Sequence, residues 1–215
     1  MAAKDVRSEL RSRSALNAIG MFALTCLAAV SFSIGPFRIG TDDRPFLLSL
    51  LLWLCLFFSA MTGLARVFVK EEEMHTAASL RLAAAPGVVF AGKFLFNALL
   101  LAALDLLIVP LFILVMDYTI ARPGAFAALV AAGSLALVSA TTLVAGIIAK
   151  ARVRSGLFAV LAFPVLFPAL FTAIRGCERA AAGALAVAPD LALLVSMSGA
   201  LLAISVWLFP VVWEA

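Results

Sequence analysis

Charged residues are scarce in this chain. Asp, Glu, Lys and Arg make up 13% of its 215 residues, whereas 65% are hydrophobic and the mean hydropathy is +1.17. Ordinary soluble domains carry about 25% charged residues, and a soluble core of this length cannot hide so much apolar surface. The composition therefore excludes an ordinary soluble protein and predicts an integral membrane protein. The net charge of +4 then indicates membrane orientation and contact with anionic lipid rather than binding to nucleic acid.

The sequence motifs of common catalytic sites are also missing. No GxxxxGK[ST] or GxGxxG stretch occurs, so the chain does not bind ATP or a dinucleotide by those devices. It has one histidine, His75, and three widely spaced cysteines, which predict neither a zinc site nor a disulfide framework. No GxSxG elbow accompanies the serines. We therefore predict a non-catalytic chain that binds no metal or cofactor by itself.

Long uncharged runs divide the chain into candidate membrane spans. A helix needs about 20 apolar residues to cross the hydrocarbon core, and these runs lack the alternation of barrel strands. The sequence predicts one all-α domain over residues 1–215 with six membrane-spanning helices. The predicted spans are residues 15–37, 45–66, 92–116, 123–149, 155–175 and 190–212. The first run is too long for the core of a cleaved signal, so we expect it to stay attached.

The basic residues predict the orientation of these spans. An even number of spans places both termini on one side, and basic residues concentrate on the cytoplasmic side. That side then carries eleven basic residues against five on the other. The eleven are Lys4, Arg7, Arg11, Arg13, Arg66, Lys70, Arg81, Lys93, Lys150, Arg152 and Arg154, and the five are Arg38, Arg44, Arg122, Arg175 and Arg179. We predict that both termini are cytoplasmic.

Two charged segments resemble helices outside the hydrocarbon core. Residues 1–14 place a few apolar side chains on one narrow face, which predicts an amphipathic helix at the cytoplasmic surface; a solvated leader that only fixes topology is the alternative. Residues 69–88 begin with three glutamates, which suit the N-terminal end of a helix, and continue with an apolar face at helical spacing. We predict a short cytoplasmic helix in this second segment.

Within the spans, Asp105 and three prolines stand out. A carboxylate near the middle of a span is costly and is a functional candidate. Asp105 could be protonated, pair with a neighbouring span, line a substrate path or meet a basic residue of a partner; we favour a structural or partner-facing role. Pro110, Pro164 and Pro168 each remove a backbone hydrogen bond and predict kinks in the third and fifth spans. Alanines at every fourth position from Ala128 to Ala140 predict close helix packing.

Three stretches carry a resemblance to a known family. They are "KDVRSELRSRSALNAIGMF" (4–22), "LARVFVKEEEMHT" (64–76) and "RSGLFAVLAFPVLFPALFTAI" (154–174). With Lys93, Asn97, Asp105 and Pro110 between them, they resemble the heme exporter protein B family over nearly the whole chain. The chain departs from the family pattern at Met74 with His75, at Ser155 and at Ala159.

The resemblance implies a permease similar to those of type-2 ABC exporters, in the bacterial cytoplasmic membrane. Such a subunit pairs with a second permease copy and with a separate cytoplasmic ATPase that binds ATP. The family works with a heme-handling membrane subunit that has a tryptophan-rich site, a small single-span subunit and a periplasmic heme chaperone. ATP turnover then drives heme export or release of the heme-loaded chaperone. The residues expected to contact the ATPase are Glu71, Glu73, Thr76, Leu80 and Arg81.

Three other functions stay open at this point. The chain could be a permease for a lipid or a lipid-linked sugar, or a non-transport scaffold that organises the maturation proteins. An intramembrane enzyme is kept only because of Asp105. The tryptophans Trp53, Trp207 and Trp213 are too scattered to form a heme platform, and the last two are expected at the membrane interface.

Overall fold

Six α-helices make up the part of the chain that the computed structural model describes, residues 14–34, 43–64, 86–150 and 156–214. They are α1 (Ser14–Ile34), α2 (Arg44–Leu64), α3 (Pro86–Val115), α4 (Pro123–Lys150), α5 (Gly156–Ala181) and α6 (Ala188–Glu214). These residues contain no strand. The predicted all-α class is therefore confirmed. Prolines at the first position of α3 and α4 suit helix starts, because the fixed φ of proline matches the first turn and its missing N–H has no partner there anyway.

Four of these helices are long and apolar enough to cross a membrane. Their apolar stretches are Arg44–Met61, Gly87–Val115, Pro123–Val144 and Ala188–Phe209, and α1 contributes the shorter stretch Gly20–Phe32. The C-terminal third of α5 carries Arg175, Glu178 and Arg179, which interrupt its apolar run. The chain is thus a helical membrane protein, whereas the number of six spans stays a prediction.

Two helices extend beyond the spans predicted from charge alone. α3 begins at Pro86, inside the predicted segment 69–88. The predicted span starts just before Lys93, but the helix runs through this residue, whose side chain is only 2% exposed. α5 continues to Ala181, past the predicted boundary at residue 175. Residues 1–13 and 65–85, with Glu71, Glu73, Thr76, Leu80 and Arg81, lie outside the described residues.

The three prolines that predict kinks lie inside helices that continue on both sides of them. Pro110 is in α3, and Pro164 and Pro168 are in α5. A bend at these positions stays a prediction. The alanine ridge of α4 packs inward, since Ala132, Ala136 and Ala140 are all buried.

Helix α4 forms the centre of the bundle. Buried residues make up 72% of its apolar stretch, against 28% for α3 and 22% for α6. On one side α4 packs against α2 and α5, where the fully buried Trp53 of α2 lies against Gly133. A Cβ atom at Gly133 would lie 2.7 Å from Cζ2 of Trp53 and 3.1 Å from Cβ of Ala173. Only glycine fits between the two neighbouring helices at this position.

Candidate functional site

Polar side chains line the contact between the antiparallel helices α3 and α4 at two levels. At the first level, Nδ2 of Asn97 donates a hydrogen bond to Oγ1 of Thr142 at 3.0 Å, and both residues are fully buried. Two helical turns further along, Asp105 of α3 faces Ser134 of α4. Each of the two helices therefore directs two polar residues towards the other helix.

A cavity opens between the two helices at the second level. It has a volume of about 560 Å³, and we call it the α3–α4 groove. Its walls are apolar side chains of α3, α4 and the loop between them, including Ala98, Ala102, Ala127 and Ala131. Asp105 and Ser134 are the only two polar side chains among the described residues that line it.

The polar atoms in this groove have unused hydrogen-bonding capacity. Oδ1 of Asp105 and Oγ of Ser134 are both buried, and neither makes a hydrogen bond within the described part of the chain. The Asp105 carboxyl and the Ser134 hydroxyl nevertheless lie within reach of each other across the contact between α3 and α4. Oδ1 of Asn97 is also unpartnered, although its Nδ2 is bonded. Buried polar atoms are nearly always hydrogen-bonded, so these three atoms stand out among the described residues.

A second polar cluster closes one end of the bundle, which we call the loop end: residues 43–46, 116–122 and 175–190. Arg44, at the start of α2, donates to the carbonyl oxygens of Met116 (3.2 Å) and Asp117 (2.8 Å). It also pairs with the carboxylate of Asp117 at 3.5 Å. The backbone of Asp117 has φ 49°, a conformation that aspartate tolerates better than most residues. Arg44 thus fixes the turn that follows α3.

Tyr118 joins the same turn to α2. Its hydroxyl donates to the carbonyl oxygen of Pro45 at 3.2 Å and shares a hydrogen bond with Oγ of Ser49 at 2.7 Å. Its ring packs edge-on against Phe126. Burial raises the pKa of the Tyr118 hydroxyl, which therefore stays protonated and able to donate.

The loop between α5 and α6 is held by two more arginines. Arg122 donates to the carbonyl oxygens of Ala184 (2.8 Å) and Leu185 (3.1 Å). Arg179 makes two hydrogen bonds of 3.0 and 2.9 Å to the carboxylate of Asp190, whose side chain is only 12% exposed. Such two-point pairing fixes geometry as well as charge. The start of α6 is thereby attached to the end of α5.

The remaining arginine of the loop end is stacked as well as paired. Arg175 lies over the rings of Phe46 and Phe171, at 5.3 and 5.8 Å from their centroids, and donates to Glu178 at 3.0 Å. All four described arginines at this end are therefore engaged in internal contacts. The described residues contain no group of three or more His, Cys, Asp or Glu that could hold a metal ion.

The tryptophans do not meet in the described structure. Trp53 is buried in the core, where its Nε1 donates to Sγ of Cys177 at 3.3 Å. Trp207 of α6 is 78% exposed, and the side chain of Trp213 lies outside the described ones. The predicted interface position of Trp207 and Trp213 stays a prediction.

A comparison with known protein families shows which family this helical membrane chain belongs to. The CcmB protein family matches residues 1–213. The chain belongs to the CcmB protein family. This family supplies a membrane component of heme export and cytochrome c biogenesis. The resemblance to the heme exporter protein B family inferred from the sequence is thereby confirmed. No curated protein matches the chain.

For a CcmB family member, the structure sorts the predicted site residues into two groups. Asp105 lies in the α3–α4 groove with Ser134 as its polar neighbour, and Pro110 lines the same groove. Pro164 and Pro168 lie apart from it in α5. Ser134 cannot be identified from the sequence, because α4 contains several serines and threonines and no pattern distinguishes the one that faces Asp105. The arginines of the loop end were expected only to indicate orientation, although Arg179 and Asp190 flank a short loop and can be expected to meet.

Proposed function

We propose that this chain is the membrane permease subunit of an ABC transporter in cytochrome c maturation. In this role it couples ATP hydrolysis by a separate ATPase subunit to heme export or to release of the heme-loaded periplasmic chaperone. The observation that carries the proposal is the match of residues 1–213 to the CcmB protein family. A non-catalytic role for this chain agrees with the absence of a Walker motif from its sequence.

The proposal also assigns an orientation. The excess of basic residues favours cytoplasmic termini in the bacterial inner membrane, which would place the loop end on the periplasmic side. Segment 69–88 is then cytoplasmic, where it can meet the ATPase. The other proposed partners are a second permease copy, the heme-handling subunit with its tryptophan-rich site, the small single-span subunit and the heme chaperone.

Helix α3 provides a mechanical route between the two sides. It is continuous over 30 residues, or about 45 Å, and it starts at Pro86, within the segment 69–88 that is proposed to contact the ATPase. Near that start, the Asn97–Thr142 hydrogen bond ties α3 to the buried helix α4. At the other end, Arg44 holds the turn after α3. A displacement of segment 69–88 would therefore be transmitted along α3 to the loop end, provided the ATPase contacts differ between its two states.

The experiment that tests this function reverses charge in the proposed contact. The double variant Glu71→Lys with Glu73→Lys is expected to reduce co-purification of the ATPase and to abolish assembly of c-type cytochromes, because the contact surface loses its acidic character. Co-purification in mild detergent and the c-type cytochrome content of membranes are the two measurements. A matched control, Asp42→Lys with Asp43→Lys, makes the same charge change on the predicted opposite side and should leave ATPase association intact. Unchanged ATPase association in the first variant would contradict the proposed coupling contact.

A further inference from the structure

The contacts of the loop end connect the helices that meet there. The turn after α3 is bonded to α2 through Arg44 and Tyr118. The residues just before α4 are bonded to the last residues of α5, because two backbone hydrogen bonds of 3.1 Å run from the amides of residues 121–122 to the carbonyl oxygens of residues 180–181. The last carbonyl groups of a helix have no partner within it, so these bonds satisfy the end of α5 and attach it to α4.

The end of α5 is held as closely to the start of α6. Arg179 pairs with Asp190 through two hydrogen bonds. A Cβ atom at Gly176 would lie only 3.2 Å from Cβ of Asp190, which shows how near the two helices come to each other. Arg122 donates to the carbonyl oxygens of residues 184 and 185, in the loop that joins these helices. The start of α6 is therefore attached to both α5 and α4.

Two aromatic contacts close these attachments into a ring. The ring of Tyr118, in the turn after α3, packs against Phe126 of α4 at 5.8 Å between centroids. The guanidinium group of Arg175, on α5, lies 5.3 Å from the ring centroid of Phe46 on α2. The contacts therefore run from α2 to the turn, to α4, to α5 and back to α2. In such a ring, no helix end can leave unless the contacts on both of its sides break.

We propose that the loop end is a rigid cap: α2, α4, α5, α6 and the turn after α3 move there as one body when the chain changes conformation, and they do not separate at this end. The inference rests on the proposed function, in which the ATPase displaces segment 69–88 at the far end of α3. Because the ring of contacts stays closed, that displacement becomes a tilt of the whole cap. A substrate path on the loop-end side then runs outside this ring of helices and not between α2, α4 and α5.

Hydrogen–deuterium exchange of the wild-type chain in its complete complex tests the rigid cap without any substitution. The complex is compared without nucleotide and with a non-hydrolysable ATP analogue. Amides in residues 116–122 and 180–187 should exchange at rates that agree within about twofold in the two states, because their hydrogen bonds stay closed. Segment 69–88 should change its exchange, since it is the proposed contact with the ATPase. Loop-end exchange that is about tenfold faster with the analogue would overturn the rigid cap, whereas constant exchange in segment 69–88 alone would count against the ATPase contact.

A disulfide across the loop end tests the same inference through function. A Cβ atom at Gly183 would lie 3.3 Å from Cβ of Ala121, close to the Cβ–Cβ separation of about 3.5–4.5 Å in disulfides. The double variant Ala121→Cys with Gly183→Cys should therefore link the two loops in the oxidising periplasm. Thiol alkylation followed by mass spectrometry measures the linked fraction. Cells in which the chain is fully linked should keep their c-type cytochromes, because the cap has no need to open.

The matched control is Gly183→Cys alone, which carries the same backbone strain at φ 83° but forms no link to Ala121. The double and single variants should support equal c-type cytochrome contents. Loss of c-type cytochromes in the linked double variant, with the single variant active, would refute the rigid cap. A strain that lacks the chain altogether should lose its c-type cytochromes; if it keeps them, the proposed function fails instead. The exchange experiment on the wild-type chain decides the inference if Gly183→Cys does not fold.

Discussion

The two sides of α4 differ in how completely the chain fills them. Towards α2 and α5, the indole of Trp53 is fully buried against Gly133, and its Nε1 is bonded to Cys177. Towards α3, the same helix borders a groove of about 560 Å³ that contains two polar side chains, Asp105 and Ser134. The first interface is closely packed and its indole N–H is hydrogen-bonded, whereas the second contains a cavity.

This difference indicates what each interface does. A membrane helix gains little from simply leaving lipid, so close packing and paired polar groups must stabilise the bundle. The α2–α4–α5 interface supplies both from this chain alone. The α3–α4 interface does so only at the Asn97–Thr142 level, two turns from Asp105. We therefore expect substitutions on the first side to destabilise the chain more than substitutions in the groove.

The largest effect is expected from Gly133→Ala. The added methyl group would collide with the ring of Trp53 and press on Ala173, which the surrounding helices cannot accommodate without moving. Overpacking of this kind should lower the free energy of unfolding by about 3 kcal/mol. The thermal unfolding temperature of the purified chain in detergent micelles is the measurement.

Two controls accompany Gly133→Ala. Gly124→Ala lies on the same helix with nothing within 4 Å of the new Cβ, and it should leave stability nearly unchanged. Combining Gly133→Ala with Trp53→Phe should restore part of the loss, since phenylalanine lacks the indole atoms that the methyl group would meet. Equal stability of the Gly133→Ala and Gly124→Ala chains would contradict the closed interface.

A smaller effect is expected from Thr142→Val. Valine keeps the shape of threonine but removes the acceptor for Nδ2 of Asn97, which is fully buried and would lose its only described hydrogen bond. The expected loss is about 1 kcal/mol of unfolding free energy. Steric trapping or thermal unfolding in micelles measures it. Because the same bond ties α3 to α4, transport coupling should also weaken in the complete complex, and a fully stable, fully active variant would show that the bond is dispensable.

The smallest effect on the isolated chain is expected from Ser134→Ala. Its hydroxyl makes no hydrogen bond within the described residues, so its removal should change the unfolding free energy by less than about 0.5 kcal/mol. Thr142→Val and Ser134→Ala thus alter similar residues on one helix with different expected outcomes. Comparable destabilisation by both would show that the groove is closed within the single chain, and the contrast between the two levels would be lost.

The fold was more predictable from the sequence than the site. The charge-free runs coincide with most of each described helix, and α2 begins at Arg44 and α4 at Pro123. Lys93 and Arg175 were less informative, because both lie within helices: the first is buried, and the second stacks on Phe46 and Phe171. A charged residue interrupts an apolar run but does not by itself end a helix, because lysine and arginine are good helix formers.

Within the site, Asp105 was predictable and its surroundings were not. A single acid in an apolar run stands out in any membrane sequence. Ser134 and Thr142 do not stand out, since serine and threonine are tolerated throughout membrane helices. The predicted ATPase contact from Glu71 to Arg81 lies outside the described residues and stays a prediction.

The sequence by itself determined that this chain is helical and belongs in a membrane, because composition and the length of uncharged runs leave few other ways to satisfy an apolar backbone. Only the tertiary structure decided that Gly133 faces Trp53, that Asn97 meets Thr142 and that Asp105 meets an open groove. The physical reason is that these helices are apolar on all sides. Their residue pattern therefore does not distinguish the side that faces lipid from the side that faces a neighbouring helix, and only packing does.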